Sequence, residues 1–229
     1  MKYKWLLFDA DGTLFDYDQA EQSALQRTFE FARLHYEPTY REIYRRINHQ
    51  LWLEFEQGIV SAESLRSKRF ELLFAAIGIE LDAQLFSDQY LRHLANASEL
   101  MEGAFDIVQA LREHYQLALI TNGLKDVQRP RLARSALKDC FGAIVVSDEV
   151  GAAKPDPAIF EIAFTQMGNP ARDQVLLIGD SLTSDIQGGN NYGIDTCWFN
   201  PAHAPRPANV TITYEIHHLG DLRILLESQ

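Results

Sequence analysis

Two carboxylates stand two residues apart where an apolar run stops: Leu6, Leu7 and Phe8 are followed by Asp9, Ala10, Asp11 and Gly12. An apolar run of that length, ended by a turn signal, reads as a strand covered on both faces of a parallel sheet, here Trp5 to Phe8. Ligand sites in such sheets lie at the carboxyl ends of strands. Residues two apart in an extended backbone point to the same side, so Asp9 and Asp11 are expected together in that crevice, with Gly12 letting the chain turn behind them. Neighbouring like charges repel unless a cation or a shared proton relieves them. Oxygen donors of this kind suit Mg2+, which takes one or two carboxylates together with substrate phosphate oxygens. The plainer alternative is a strand-end turn whose acidic residues face solvent.

Three further segments deliver polar groups at comparable places. Leu117 to Ile120 ends in Thr121, Asn122 and Gly123, which supply a hydroxyl, an amide and backbone N–H groups that could approach phosphate oxygens; the same triplet also makes an ordinary turn. Val175 to Ile178 ends in Gly179, Asp180 and Ser181, with Asp185 five residues after Asp180. A carboxylate at a strand tip and another at the next helix start could share a metal; Asp185 could equally be an acidic residue favoured near a helix N-terminus. Asp180 follows four apolar residues, so it is expected to be partly buried and to need a partner. Lys154 lies between Ala153 and Pro155 just ahead of a helix, where it can offset the acidic groups and hold a transferring phosphoryl group, or else stand exposed in a loop.

These residues require a framework of strands. From Asp16 to about Ala97 the pattern is helical: Tyr40, Ile43, Tyr44, Ile47, Leu51 and Phe55 form one apolar stripe ending near Gly58. Ser61 is a candidate cap for a helix that stops at Gly78, and Asp82 for one carrying Phe86, Tyr90 and Leu94. After Gly103 the texture alternates. Helices are predicted over 106–115, 126–136, 157–167 (Asp156 as N-cap), 185–192 and 219–226, and strands over 117–121, 143–147, 175–178, 196–199 and 211–214, with a loop over 201–207. The fold class is therefore α/β, a doubly wound, mainly parallel Rossmann-like sheet. The expected domains are a core of residues 1–15 and 98–229, and an all-helical cap of residues 16–97 inserted after the first strand and lying over the strand ends.

The chain of 229 residues with 46% hydrophobic content can bury an ample core. Its net charge of -11 disfavours binding of a nucleic-acid polymer through a basic face, but leaves small anions as partners, since these respond to the local field of a metal and a lysine. Cys140 and Cys197 form no CxxC or Cys/His cluster and read as reduced, buried thiols. The seven histidines are scattered and receive no role. No segment approaches the ~20 apolar residues of a membrane span, and the run before Asp9 is too short for a signal peptide, so no membrane association and a cytoplasmic location are expected.

Taken in order, the apolar-Asp-x-Asp-Gly-Thr, apolar-Thr-Asn, Lys-Pro-Asp-Pro and apolar-Gly-Asp-x-x-x-x-Asp segments resemble the haloacid dehalogenase superfamily of phosphohydrolases with an inserted helical cap. The resemblance implies that Asp9 attacks phosphorus to form an aspartyl-phosphate. Asp11 exchanges protons with the leaving group and water. Thr121, Asn122, Gly123 and Lys154 bind phosphate, and Asp9, the Asp11 carbonyl, Asp180 and Asp185 hold Mg2+. Within that superfamily the segments 8–11, 51–58, 120–123, 149–151 and 196–200 are most similar to bacterial pyrimidine 5'-nucleotidases, which implies a nucleoside monophosphate such as UMP, dUMP or dTMP as the small-molecule partner of a monomer or small homo-oligomer. The alternatives are a capped phosphatase of a sugar phosphate or an acylneuraminate 9-phosphate and, from another class, a phospho-accepting signalling module. Phe15, Tyr17 and Trp52 could wall a slot for a flat base, although Trp52 follows the striped Leu51 and could equally be a packing residue. Gln22 and Asn48 could read a base edge.

Overall fold

A computed structural model describes residues 2–228. Six strands, β1 (Trp5–Phe8), β2 (Gln116–Thr121), β3 (Ala143–Val146), β4 (Val175–Gly179), β5 (Asp195–Phe199) and β6 (Tyr214–Ile216), form one sheet in the order β3-β2-β1-β4-β5-β6. Every neighbouring pair is parallel, with Phe8 opposite both Leu119 and Ile178. The chain winds from β1 out to β3 and returns to β4 on the other side of β1. The strand order thus reverses between β1 and β4, which is where an open α/β sheet places its ligand crevice.

Alternation along the strands builds both faces. Leu6, Phe8, Leu117, Leu119, Leu176 and Ile178 point into one core with α5 (Ala104–Leu111) and α10 (Asp221–Glu227). Leu7, Ala118, Ile120, Val175 and Leu177 point into another, covered by α8 (Pro157–Gln166) and by Tyr192 at the end of α9 (Gln187–Tyr192). The sheet is doubly wound, and all of its strands are parallel rather than merely most of them.

Two compact units divide the chain. The first comprises residues 1–17, 98–125 and 132–229 and holds the sheet; the second comprises 18–97 with 126–131. The second unit is built from α1 (Tyr17–Phe31), α2 (Pro38–Glu56), α3 (Ala62–Ile77) and α4 (Ala83–Asn96). Ser61 and Asp82 cap α3 and α4 as expected, the Ser61 hydroxyl accepting from Ser64 N and the Asp82 carboxylate from Gln84 N and Leu85 N; Gly78 ends α3 in the left-handed region. An aromatic nucleus of Phe70, Phe74 and Phe86 lies within these helices, with ring centroids 5.0 and 5.1 Å from that of Phe86.

Several boundaries differ from the sequence expectations. The helix expected over 106–115 ends at Leu111, and the next residues fold into a turn in which His114 N and Tyr115 N both donate to Leu111 O. The helix expected over 126–136 runs Lys125–Arg134 (α6) despite Pro130 within it. A short helix, α7 (Ser147–Val150), follows β3, which therefore stops at Val146. The last strand begins at Tyr214 rather than Thr211, because the preceding residues are held from the side: Thr213 Oγ1 accepts from Thr196 N, and Thr211 O accepts from Asn190. Both cysteines are free and buried, and among the described residues no helix is long and apolar enough to cross a membrane.

Candidate active site

The carboxyl ends of β1, β2 and β4 deliver the site. Asp9 follows β1 directly, and its N–H donates to Ile178 O, which ties it to the neighbouring strand. The chain then turns. Leu14 N and Phe15 N both donate to Ala10 O, and Gly12, at φ +83°, lies so close to Asp180 that a Cβ there would overlap its carboxylate. Behind Asp9 the chain is thus in a tight turn rather than in an extended strand. The carboxylates that converge are those of Asp9, Asp180 and Asp185, with ligand oxygens all within 4.8 Å of one another, and Asp11 stands half-exposed outside that group.

Asp180 follows β4, and its partner is the hydroxyl of Thr13, which donates to Oδ1 at 3.2 Å. The indole N–H of Trp198 donates to Asp180 O at 2.9 Å and fixes its main chain. Between Ser181 and α9 the chain makes a wide π-type turn over Leu182–Ile186. Ser181 caps this turn, its hydroxyl accepting from Ser184 N. Asp185 is fully buried, and its Oδ2 accepts from Ser181 N at 3.0 Å, returning a bond to the capping residue. Sequence reasoning gave no role to Thr13 or Trp198, although both lie inside the segments that carried the resemblance.

Lys154 joins the groups. Its side chain is 1% exposed, and its ammonium donates to Asp9 Oδ1 at 2.5 Å, Asp185 Oδ1 at 2.6 Å and Ile120 O at 3.1 Å. An ammonium has three N–H donors, and here each has an acceptor. Burial alone would depress its pKa, but the charges of Asp185 and Asp9 and the hydrogen bonds to them outweigh burial and hold it above the usual lysine value. Burial pushes Asp9 well above the usual carboxylate range; Lys154 opposes this, and Asp185 and Asp180 add to it. Burial first, and then the charge of Asp185, push Asp180 up to about 7 against the partial relief given by Lys154 and Thr13.

Three carboxylates against one ammonium leave negative charge uncompensated. A hard divalent cation fits this oxygen-only donor set and would relieve the repulsion that raises Asp9 and Asp180.

Thr121, at the end of β2, is buried; its Oγ1 accepts from Gly123 N at 3.1 Å, which leaves the hydroxyl proton to be donated elsewhere. Gly123 N–H, expected to face a phosphate, is occupied by that bond. Asn122, also expected to bind phosphate, turns its amide to Lys154: Nδ2 donates to Lys154 O at 2.8 Å, and Oδ1 accepts from Lys154 N at 2.7 Å.

The residues expected to wall a base slot each have their own setting. Phe15 is 1% exposed and packed in the core beside Leu14 and Phe8, so its ring has no face left for a ligand. Tyr17 is half-buried at the start of α1. Trp52 packs against the Leu51, Val60 and Leu65 cluster, edge-on to Phe55 at 5.4 Å. Gln22 is exposed, and the Asn48 carbonyl accepts from Arg69 Nη1 at 3.3 Å. A feature that sequence reasoning missed lies in the helical unit. Glu21 is 3% exposed, and burial pushes its carboxyl up to about 7, offset in part by Arg45, Arg41 and Arg69. Its spacing from Tyr17, Ala24 and Thr28 on one face of α1 was a readable signal.

Comparison with known proteins places this geometry. The family model of haloacid dehalogenase-like hydrolases matches residues 6–199. The chain is 38% identical over 97% of its length to the pyrimidine 5'-nucleotidase PynA of Streptococcus pneumoniae, covering 94% of that protein. To the pyrimidine 5'-nucleotidase YjjG of Escherichia coli it is 36% identical, with 99% of each chain covered. Among solved structures, the HAD-hydrolase YfnB of Bacillus subtilis, bound to magnesium, superposes with a TM-score of 0.94 at 36% identity, again with 99% of each chain covered. The resemblance first drawn from four short motifs extends over almost the whole molecule, and this chain belongs to the haloacid dehalogenase-like hydrolase family.

Proposed function

We propose that this phosphoric monoester hydrolase is a Mg2+-dependent 5'-nucleotidase that removes phosphate from pyrimidine nucleoside monophosphates, UMP, dUMP and dTMP, through an aspartyl-phosphate. The observation that carries the chemistry is the buried ammonium of Lys154 set between Asp9 and Asp185, beside Asp180. The substrate class rests on the two full-length relatives named as pyrimidine 5'-nucleotidases.

Phosphoryl transfer needs positioning and charge stabilisation more than covalent help. Asp9 supplies the nucleophilic oxygen: a bond forms from its carboxylate to phosphorus as the ester P–O bond breaks. Asp11, half-exposed and one turn further along, gives a proton to the departing oxygen. It then takes one from the water that cleaves the aspartyl-phosphate, releasing inorganic phosphate and restoring Asp9. Lys154 and the Thr121 hydroxyl donate to the phosphoryl oxygens. Asp9, Asp180 and Asp185, with the Asp11 carbonyl, would hold Mg2+, which supplies charge neutralisation between the nucleophile and the phosphoryl group.

The test is phosphate release with Mg2+ across UMP, dUMP, dTMP, AMP, GMP and several sugar phosphates, with Asp9→Asn as control. The expected outcome is pyrimidine preference, loss of at least ~10^3-fold in kcat for the Asp9→Asn protein with its circular dichroism retained, and no release in chelator. Undiminished turnover by Asp9→Asn would remove the nucleophile. A sugar-phosphate preference would keep the mechanism and replace the substrate.

A further inference from the structure

Lys154 lies in a stretch that no strand supports. β3 ends at Val146, α7 ends at Val150 and α8 begins only at Pro157, yet the ammonium must reach three acceptors at hydrogen-bond distance. Its flexible four-carbon stem cannot define that point unless its own main chain is fixed. Both main-chain polar groups of Lys154 go to one side chain 32 residues away: Asn122 Oδ1 accepts from Lys154 N at 2.7 Å, and Asn122 Nδ2 donates to Lys154 O at 2.8 Å.

We propose that Asn122 is a positioning residue that clamps the main chain of Lys154, and so sets the ammonium between Asp9 and Asp185, rather than a phosphate ligand in its own right. The proposal rests on the phosphatase reading of the site.

The chemistry of the amide supports the clamp. A primary amide offers a carbonyl oxygen and an NH2, and the main-chain N–H and C=O of one residue are their complement, so the pair closes in only one orientation. Flipping the amide would set N–H against N–H and oxygen against oxygen. A neutral amide also makes the junction without adding charge to a cluster that already carries three carboxylates and an ammonium. Thr121, one residue earlier, is on the buried end of β2, so the clamp hangs from the same strand that delivers the phosphate-donating hydroxyl. Thr121 and Lys154 are thereby held in one frame although they come from distant parts of the chain.

The expected loss is large for a residue that does not touch substrate, because a displacement of about 1 Å at a reacting group can cost ~10^2-fold in rate. The test is a double-mutant cycle on p-nitrophenyl phosphate, a generic monoester that makes the result independent of the base assignment. Asn122→Ala is expected to lower kcat ~10–100-fold in the wild-type background. In the Lys154→Met background the same change should cost no more than ~2–3-fold, because residues acting as a unit are not additive. Equal losses in both backgrounds would overturn the proposal, since Asn122 would then act independently of Lys154. A crystal structure of Asn122→Ala gives the answer without turnover, and it decides where a Lys154 variant is too slow to assay. Lys154 Nζ displaced from Asp9 and Asp185 supports the clamp; Nζ still seated between them refutes it, whatever reaction the site performs.

Discussion

Gly179→Ala isolates what the close packing beneath the site contributes. Gly179 is the last residue of β4, and the Asp185 carboxyl group occupies the place where a Cβ would sit; an added methyl would fall well inside van der Waals contact with Asp185 Cγ, Oδ2 and Cβ. Gly179 is not among the glycines of positive φ, so the cost is steric rather than conformational. To regain ordinary contact the carboxylate must retreat by roughly 1 Å. That movement draws Oδ1 off Lys154 Nζ, now at 2.6 Å, and Oδ2 off Ser181 N, now at 3.0 Å. Overpacking costs about 1–3 kcal/mol, and a hydrogen bond to a charged group is worth about 1.5–3 kcal/mol. With one such bond lost, the total is about 2.5–6 kcal/mol, which at this chain length lowers Tm by about 5–24 °C. Because Lys154 loses one of its three acceptors, kcat should fall ~10–100-fold as well. Gly142→Ala is the control: an added Cβ there meets Trp5 Cη2 at 3.7 Å and Leu117 O at 3.8 Å, ordinary contacts, so its stability should change by less than about 1 kcal/mol. The assays are thermal unfolding followed by circular dichroism, and phosphate release at saturating Mg2+. A Gly179→Ala protein with the Tm and kcat of the wild type would refute the account of Asp185 as a rigidly seated partner of Lys154.

The buried Glu21 gives the helical unit a pH signature. Its folded pKa, about 7, is raised above the ordinary 4.5, so its contribution to stability is fully present below pH 4.5 and is lost as the pH rises through 7, a swing of about 3 kcal/mol. Glu21→Gln should remove that swing, so the Tm of the variant relative to wild type should be higher at pH 8 than at pH 5; the same difference at both pH values would show that Glu21 ionises without penalty. Trp198→Phe deletes the N–H that holds Asp180 O at 2.9 Å while keeping an aromatic in the core. The Mg2+ concentration for half-maximal activity should rise by up to ~10-fold, with kcat at saturating Mg2+ little changed. An unaltered Mg2+ requirement would show that the Asp180 main chain is held well enough without the indole.

The sheet was legible because its signals are local. Trp5 to Phe8, Leu117 to Thr121 and Val175 to Ile178 are short runs, apolar on both faces and bounded by turn signals, as in a strand buried from both sides. Ser61, Asp82 and Asp156 could be read as caps because one side chain serves the helix that begins beside it. Of the expectations that failed, some depend on partners distant in sequence and others on a tight local turn. Thr211 to Tyr214 has the composition of a strand, but Thr213 uses its hydroxyl on Thr196 N, and pairing with β5 starts at Tyr214. Phe15 has the composition of a base-stacking residue, but the turn that returns Phe15 N to Ala10 O places the ring in the core.

The site divides along the same line. Residue types at strand ends indicated a metal-and-phosphate chemistry, and Asp9, Thr121, Lys154, Asp180 and Asp185 do lie at or beside those ends. The assignment of roles within the set depended on which donor meets which acceptor, and that is a property of the assembled sheet. Asp11 and Asp180 are equivalent as sequence, each a carboxylate near a strand tip, yet the turn at Gly12 keeps Asp11 out of the three-carboxylate group while Thr13 reaches across to Asp180. Asn122 and Thr121 are equally polar neighbours, yet Thr121 keeps its hydroxyl proton to offer, whereas the carbonyl and one N–H of the Asn122 amide are engaged by the main chain of Lys154. An ammonium with three acceptors has no capacity to spare, so Lys154 can grip a phosphoryl oxygen only by exchanging one of the bonds it now makes. On the proposed mechanism the bond to Asp9 is the one to exchange: attack on phosphorus would spread the charge of that carboxylate into the new acyl phosphate and weaken its hold on Lys154 at the moment when the phosphoryl oxygens need it.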